Sequence, residues 1–479
     1  MSYRHHLKSG LLLSIGGATG ALSTFARNII IARLISVEDF GIAATFGITM
    51  AFIEMTSVLG VDRLIVQSPE GNEPRLQATV QAFNVLRGAL LSLILFAIAG
   101  PVANLFELPE VVGAFQWLAI LPFIRGFVHM DTARAQREMR FAPSVLTENG
   151  AQLLTMLLAA PLAIYFKDYR VMLWLITIQV IANVIISFLT ASRKYRWAWD
   201  MAVLRHIFSF GWPLMINGFL LFGVFQADRA IVGAAFSMEE LGWFSAAFTL
   251  TLFPSMVLAS MCQSFFMPML SADQLIPDKF QFGAIATMKA CLLLGVLLYV
   301  GLALAGPALL LLLFGHQYAE ATLIVGWLAL VQGIRTVKSG PVIVAISCGQ
   351  TKLPLYANMV RSTALVLALI AVWQGWGIFG IILSGIIGET LSVISIFILL
   401  RVKLGINLLF IYKSIVISLL IAASTMVLAL NFVTGKNPAF EIAGSIIAGI
   451  CALAISMAFA TDLLTWLKKT NKGQSKIPV

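Results

Sequence analysis

Apolar stretches long enough to cross a hydrocarbon core of about 30 Å recur along the whole chain, separated by short polar connections. The pattern predicts fourteen helical spans, at residues 11–33, 41–61, 82–106, 112–132, 144–166, 171–191, 208–236, 242–268, 284–314, 321–346, 355–374, 377–400, 412–432 and 441–463. The seventh and ninth are longer than a perpendicular crossing needs, so a tilt, a kink or a partly interfacial end is expected there. The longest polar connections run to only about twenty residues, too short for a soluble domain. The expected fold class is an all-α integral membrane protein.

Two halves of the pattern are related. Ser36-Val37-Glu38-Asp39-Phe40-Gly41 returns as Ser237-Met238-Glu239-Glu240-Leu241-Gly242, 201 positions later. Gly100-Pro101 returns as Gly306-Pro307. Trp117-Leu118-Ala119 with Ile124-Arg125 returns as Trp327-Leu328-Ala329 with Ile334-Arg335, 210 positions later. A slowly growing offset is what loop insertions produce. Spans 1–6 and 7–12 then form two pseudo-symmetric six-helix lobes in parallel orientation. The corresponding boundaries are 1–196 for the N-terminal lobe, 197–403 for the C-terminal lobe, and 404–479 for two added spans and a basic tail.

Composition agrees with this reading. Hydrophobic residues make up 59% of the chain and charged residues 11%, against roughly 25% charged in soluble domains. The net charge of +10 invites a nucleic-acid reading, but the bases fall in short clusters between apolar runs, so no nucleic-acid partner is expected. Counted over alternate connections, with Arg33 and Lys413 at span ends assigned to the connections they adjoin, twenty Lys and Arg lie on one side and four on the other, with eight inside the spans. By the positive-inside rule both termini face the cytoplasm. Arg4, His5, His6 and Lys8 precede an apolar stretch, as in a secretory signal. That stretch is too long for a signal h-region and has a repeat partner, so cleavage is not expected. The four cysteines lie in apolar spans, no C-x-x-C occurs, and the histidines are not ligand-spaced. Neither disulfide, metal nor other cofactor is expected.

The repeated residues also carry a family resemblance. The Ser-x-Glu-[Asp/Glu]-[Phe/Leu]-Gly turn occurs twice, Asp228 precedes Ile231-Val232-Gly233, Gln67 follows Gly60, and the Arg137–Phe141 segment follows span 4. In order and repetition these resemble the polysaccharide transporter family of oligosaccharide flippases, within the multidrug/oligosaccharidyl-lipid/polysaccharide exporter superfamily. The resemblance covers spans 1 to 12. It implies translocation of undecaprenyl-pyrophosphate-linked oligosaccharide repeat units across the bacterial inner membrane by alternating access, with no catalytic residues. Implied partners are the lipid-linked oligosaccharide, membrane lipids, a polysaccharide polymerase and a chain-length regulator.

Charges at bilayer depth are costly and mark function by default. Arg125, Arg335 and Lys338 lie thirteen or more residues into their spans, and Arg27 and Arg229 in the outer halves of spans 1 and 7. Gathered into one hydrated cleft between the lobes, these five would suit a pyrophosphate, which Arg grips with paired hydrogen bonds. The competing reading is that they pair with Glu54, Asp228 and Glu389 and stitch helices together. In spans 1–12, leaving Arg33 to the connection it adjoins and counting Asp62 at the end of span 2, eight bases stand against six acids (Glu54, Asp62, Asp131, Glu148, Asp228 and Glu389). This leaves cation unpaired and favours an anionic cargo. Arg87, Lys289 and Arg361 lie five or six residues from the cytoplasmic span ends, roughly 8–9 Å, where snorkelling to the headgroups is expected. Glu54, Asp228 and Glu389 are candidates for ion coupling.

Several apparent motifs carry less. Gly375–Gly380 satisfies GxGxxG but follows a membrane span rather than a strand. Glu38, Asp39, Glu239 and Glu240 read as solvated turn formers, or alternatively as part of an outer gate. A lipid II flippase shares the expected span count and basic interior and stays open as an alternative. A multidrug exporter fits less well, because its cargo is cationic. A membrane glycosyltransferase or polymerase would need a large hydrophilic outer loop, and every outer connection here is short.

Overall fold

The structure, a computed structural model, describes residues 3–432, and every regular element among them is helical. The expected fourteenth span, 441–463, lies outside the described residues. The chain divides into two compact units, residues 1–245 and 246–479. The first unit contains α1 (Tyr3–Leu34), α2 (Val37–Thr56), α3 (Val61–Gln67), α4 (Pro74–Leu105), α5 (Val112–Leu118), α6 (Leu121–Gly126), α7 (Asp131–Arg137), α8 (Ala142–Phe166), α9 (Arg170–Thr190), α10 (Met201–Phe225) and α11 (Ala227–Ala235). The next helix, α12 (Met238–Asp273), starts in the first unit and ends in the second. The second unit continues with α13 (Pro277–Phe314), α14 (Thr322–Ser347), α15 (Lys352–Arg361), α16 (Thr363–Trp373), α17 (Gly377–Leu404) and α18 (Leu409–Phe432).

Among the described residues nine helices are long and apolar enough to cross a membrane, or up to eleven if two bent pairs each count as one span. The expected fourteen exceed that count by α1, α18 and the span that is not described. Leu86, Leu90, Leu93 and Phe96 form an exposed apolar stripe at helical spacing along α4. Such a stripe is at home against lipid tails and out of place in water.

Two expected spans are not continuous helices. The second is α2 followed by α3, bent by 42°. Gly60 sits at the break with φ +61, and a Cβ there would collide with Leu214 of α10. The fourth is broken into α5, α6 and α7, with a 50° bend before α7. Pro122, at the start of α6, has no N–H to carry the helix through from α5. The second copy of the repeat has Gln332 one offset of 210 later, and there α14 runs unbroken from Thr322 to Ser347. Irregular backbone at membrane depth is tolerated where it lines a polar cavity, and both breaks do so. The long seventh span also parts, between α10 and α11 at Gln226.

The repeated turn is a helix cap in both copies. Ser36 Oγ accepts the Asp39 N–H at 3.0 Å and opens α2. Ser237 Oγ accepts the Glu240 N–H at 3.2 Å, while Glu240 Oε2 accepts the Ser237 N–H at 3.1 Å, a reciprocal box that opens α12. The glycines that close the two motifs bring these helix starts together. A Cβ on Gly41 would overlap the Met238 carbonyl, and one on Gly242 would overlap the Val37 carbonyl.

The first unit has an apolar core at one end, where Leu59, Leu64 and Ile65 pack with Val80, Phe83, Met130 and Ile207. Its other helices layer α1 and α9 on α8, and α5 and α6 on α4. In the second unit α13 packs along α14 and α18, and α17 packs on α14, α15 and α16. Small residues on α13 (Ala284, Ala286 and Ala290) are buried in that core, as close helix packing in lipid requires.

Candidate functional site

The breaks in the second and fourth spans open a polar cavity of about 470 Å³ inside the first unit. Glu54 near the end of α2, Asp62 and Arg63 at the start of α3, Arg87 on α4, Arg125 on α6 and Glu148 on α8 all line it. Arg125 Nη1 is ion-paired with Glu54 Oε1, and both side chains remain accessible, at 49% and 38% exposure. Arg87 donates to the Ser57 carbonyl at 3.0 Å, covering an acceptor freed where α2 ends. The lining carries three carboxylates and three guanidinium groups, so the cavity is close to neutral.

The second unit holds a different arrangement. Glu389, on α17, is 0% exposed. Its Oε1 accepts from Arg335 Nε and from Arg361 Nε, each at 2.5 Å, and its Oε2 accepts from Lys338 Nζ at 2.8 Å. Arg335 and Lys338 are one turn apart on α14, and Arg361 ends α15. One buried carboxylate thus holds three cations, and these four side chains sum to a formal charge of +2.

Arg27 stands apart from both. Only 9% exposed, it donates from Nη1 to Gln179 Oε1 at 2.7 Å and to Thr155 Oγ1 at 3.4 Å. Its charge is held between α1, α8 and α9 by neutral side chains. Arg229, in α11, donates to Gln226 Oε1 at 3.4 Å, and Asp228 precedes it; neither lines the cavity. Of the eight residues singled out from the sequence, Arg125 meets Glu54, and Arg335 and Lys338 meet Glu389. Arg27, Arg229 and Asp228 lie elsewhere.

Arg361 was expected to snorkel and does not. It is 3% exposed and tied to Glu389, because its side chain faces the helix interface rather than lipid. Arg87 likewise turns into the cavity, and Lys289 is buried. Asp62 and Glu148 counted only as intramembrane acids in the sequence. The overall surplus of bases over acids within the spans is the sequence signal that cations gather around shared carboxylates.

At the end of the fourth span, Asp131 ties α7 to the chain that follows α9. Buried, it accepts from Arg134 Nε at 2.5 Å, from the Ser192 N–H at 2.7 Å and from the Arg193 N–H at 3.3 Å. Arg134 and Arg140 also grip Glu138, and the hydrogen bond from Arg140, aided by Arg134, holds the Glu138 carboxyl below the usual carboxylate range. Arg137, in the segment shared with the family pattern, donates to the Val66 carbonyl in the last turn of α3 and to the Pro69 carbonyl just beyond it. Its role is to pin the bent second span.

This helical architecture is that of the MATE and MurJ transporters. An inward-facing multidrug resistance MATE family transporter of the MOP superfamily matches with a TM-score of 0.68 at 14% identity, covering 81% of this chain and 94% of that one. The lipid II flippase MurJ, in an inward closed conformation, matches with a TM-score of 0.68 at 15% identity, covering 95% and 100%. The chain belongs to the family described as "Polysaccharide biosynthesis protein", whose model matches residues 30–323. It is similar to the succinoglycan biosynthesis transport protein ExoT of Rhizobium meliloti, 25% identical over 70% of this chain and 68% of that protein. It is also similar to the amylovoran biosynthesis protein AmsL of Erwinia amylovora, 23% identical over 62% and 77%. It is a membrane protein of a family that serves polysaccharide biosynthesis.

Proposed function

We propose that the protein is a flippase that carries undecaprenyl-pyrophosphate-linked oligosaccharide repeat units across the bacterial inner membrane by alternating access. The observation that carries this reading is positive charge buried at membrane depth. Three cations share the one carboxylate of Glu389, and Arg27 is held by neutral groups alone. Arg27 is buried with no carboxylate among its hydrogen-bond partners, a costly state that favours an anionic cargo over a cationic drug. In this reading Arg335, Lys338 and Arg361 attract the diphosphate while Glu389 keeps them in place, and the sugar travels in hydrated space while the polyprenyl tail stays in lipid. Arg125 and Arg229 join them as cargo contacts, and Glu54, with Asp62 and Glu148 beside it, is the site for ion coupling. Fourteen spans with both termini cytoplasmic complete the proposal, with residues 1–196 and 197–403 as the repeated halves. A polymerase and a chain-length regulator would take up the product.

Proteoliposomes carrying a fluorescent polyprenyl-diphosphate disaccharide provide the test. The wild-type protein should move the probe between leaflets, and Arg335→Ala and Arg125→Ala should each slow it at least tenfold at matched protein levels. Unchanged rates in both variants would remove these residues from the cargo path. Faster transport of lipid II than of polyprenyl-linked sugars would favour the second reading, which the likeness to MurJ keeps in view.

A further inference from the structure

The polar chain between α9 and α10 has no part in the reading above. Residues 191–200 form no helix, yet they are lashed down along their length. Asp131 holds the Ser192 and Arg193 N–H groups, and Arg193 Nη1 donates to the Asn72 carbonyl at 2.8 Å. Gln81 Nε2 donates to the Arg196 carbonyl at 2.8 Å, the Ala198 N–H donates to the Ala78 carbonyl at 3.4 Å, and Asp200 pairs with Arg75 at 2.7 Å. The strap therefore crosses the start of α4 in a fixed course.

A groove of about 240 Å³ lies between the strap and that helix end, lined by Pro74, Gln77, Gln81, Arg193, Lys194 and Arg196 together with Ala78. It carries three bases and no acid. The Lys194 and Arg196 side chains are exposed and, among the described residues, make no hydrogen bond or ion pair. The groove lies over the first turns of α4, whose dipole places positive potential at that end, and Glu73 at the N-cap makes no side-chain capping hydrogen bond. Trp197 and Trp199 follow on the same strap, 60% and 55% exposed. Indole rings beside unpaired cations at the end of a helical bundle are the composition of a membrane interface.

The geometry points to a binding site for the headgroup of an acidic phospholipid. The phosphoryl group sits in the groove against Lys194, Arg196 and the α4 end, and Trp197 and Trp199 lie at the level of the acyl ester region. Basic pockets between helices on the anionic leaflet bind such headgroups. This strap is already ordered by its backbone tethers, so little entropy is lost on binding. The site shares no residue with the cavity or the Glu389 cluster, and it does not depend on what cargo the protein carries.

Native mass spectrometry of the full-length protein in detergent, titrated with phosphatidylglycerol or phosphatidylcholine, tests it. The wild-type chain should retain phosphatidylglycerol in preference. Lys194→Glu with Arg196→Glu should weaken that preference on the order of tenfold to thirtyfold, and Trp197→Ala with Trp199→Ala should weaken both lipids. Lys352→Glu, an exposed cation elsewhere, should change nothing. An undiminished preference in the Lys194/Arg196 double variant, or an equal loss in Lys352→Glu, would overturn the site. Displacement of the lipid by millimolar inorganic phosphate would overturn the lipid assignment in favour of a soluble anion.

Discussion

Replacing Glu389 by Gln isolates the energetic cost of the second unit's cation cluster. The substitution keeps the side chain's shape on α17 but removes the charge that Arg335, Lys338 and Arg361 share. The formal charge of the cluster rises from +2 to +3, and the new amide turns N–H donors toward groups that are themselves donors. Breaking a buried pair by removing one partner costs about 3–5 kcal/mol. Glu389 is 0% exposed and serves three partners, so the upper end of that range is expected. That is a change of roughly two to four powers of ten in the unfolding equilibrium. Thermal melting of the purified protein, followed by circular dichroism, should show a clear downward shift. Adding Lys338→Met to Glu389→Gln returns the charge to +2 and should recover part of the loss. A Glu389→Gln protein that melts with the wild type would refute the cluster as the brace of α14, α15 and α17.

Gly41→Ala or Gly242→Ala should destabilise the protein by about 1–3 kcal/mol, because each Cβ meets a backbone carbonyl of the opposite helix start. Gly47→Ala on the same helix α2, where a Cβ meets nothing within 4 Å, should melt like the wild type, and equal behaviour of all three would refute the contact. Asp131→Ala releases the Ser192 and Arg193 N–H groups, so trypsin should cut after Lys194 or Arg196 many times faster; an unchanged cleavage rate would show that the strap is held by other means. Arg27→Met should leave the melting temperature equal or higher, since the charge it removes has only neutral partners, while lowering probe transport; a large loss of stability would mark Arg27 as a structural brace.

Much of this protein is legible without a structure because hydropathy is a local property. A run of twenty apolar residues tends to a helix from its own composition, since a helix satisfies its backbone hydrogen bonds within the segment. The doubled Ser-x-Glu-[Asp/Glu] turn likewise announces helix starts, and Ser36 and Ser237 cap α2 and α12. The surplus of intramembrane bases can also be counted from the chain alone.

Tertiary structure decided the rest, for a geometric reason. Position along a span fixes a residue's depth, but only packing fixes the direction in which its side chain points. Arg361 stands at a depth from which it could reach the headgroups, yet it turns inward to a carboxylate 28 positions away. Arg125 and Arg335 are equivalent in the repeat, but one lines an accessible cavity and the other is locked in a buried cluster. The second and fourth spans break because Gly60 and Pro122 stand where the other half of the repeat has residues that continue a helix. Those breaks hollow the first unit, while an unbroken α14 in the second lets Glu389 gather its cations.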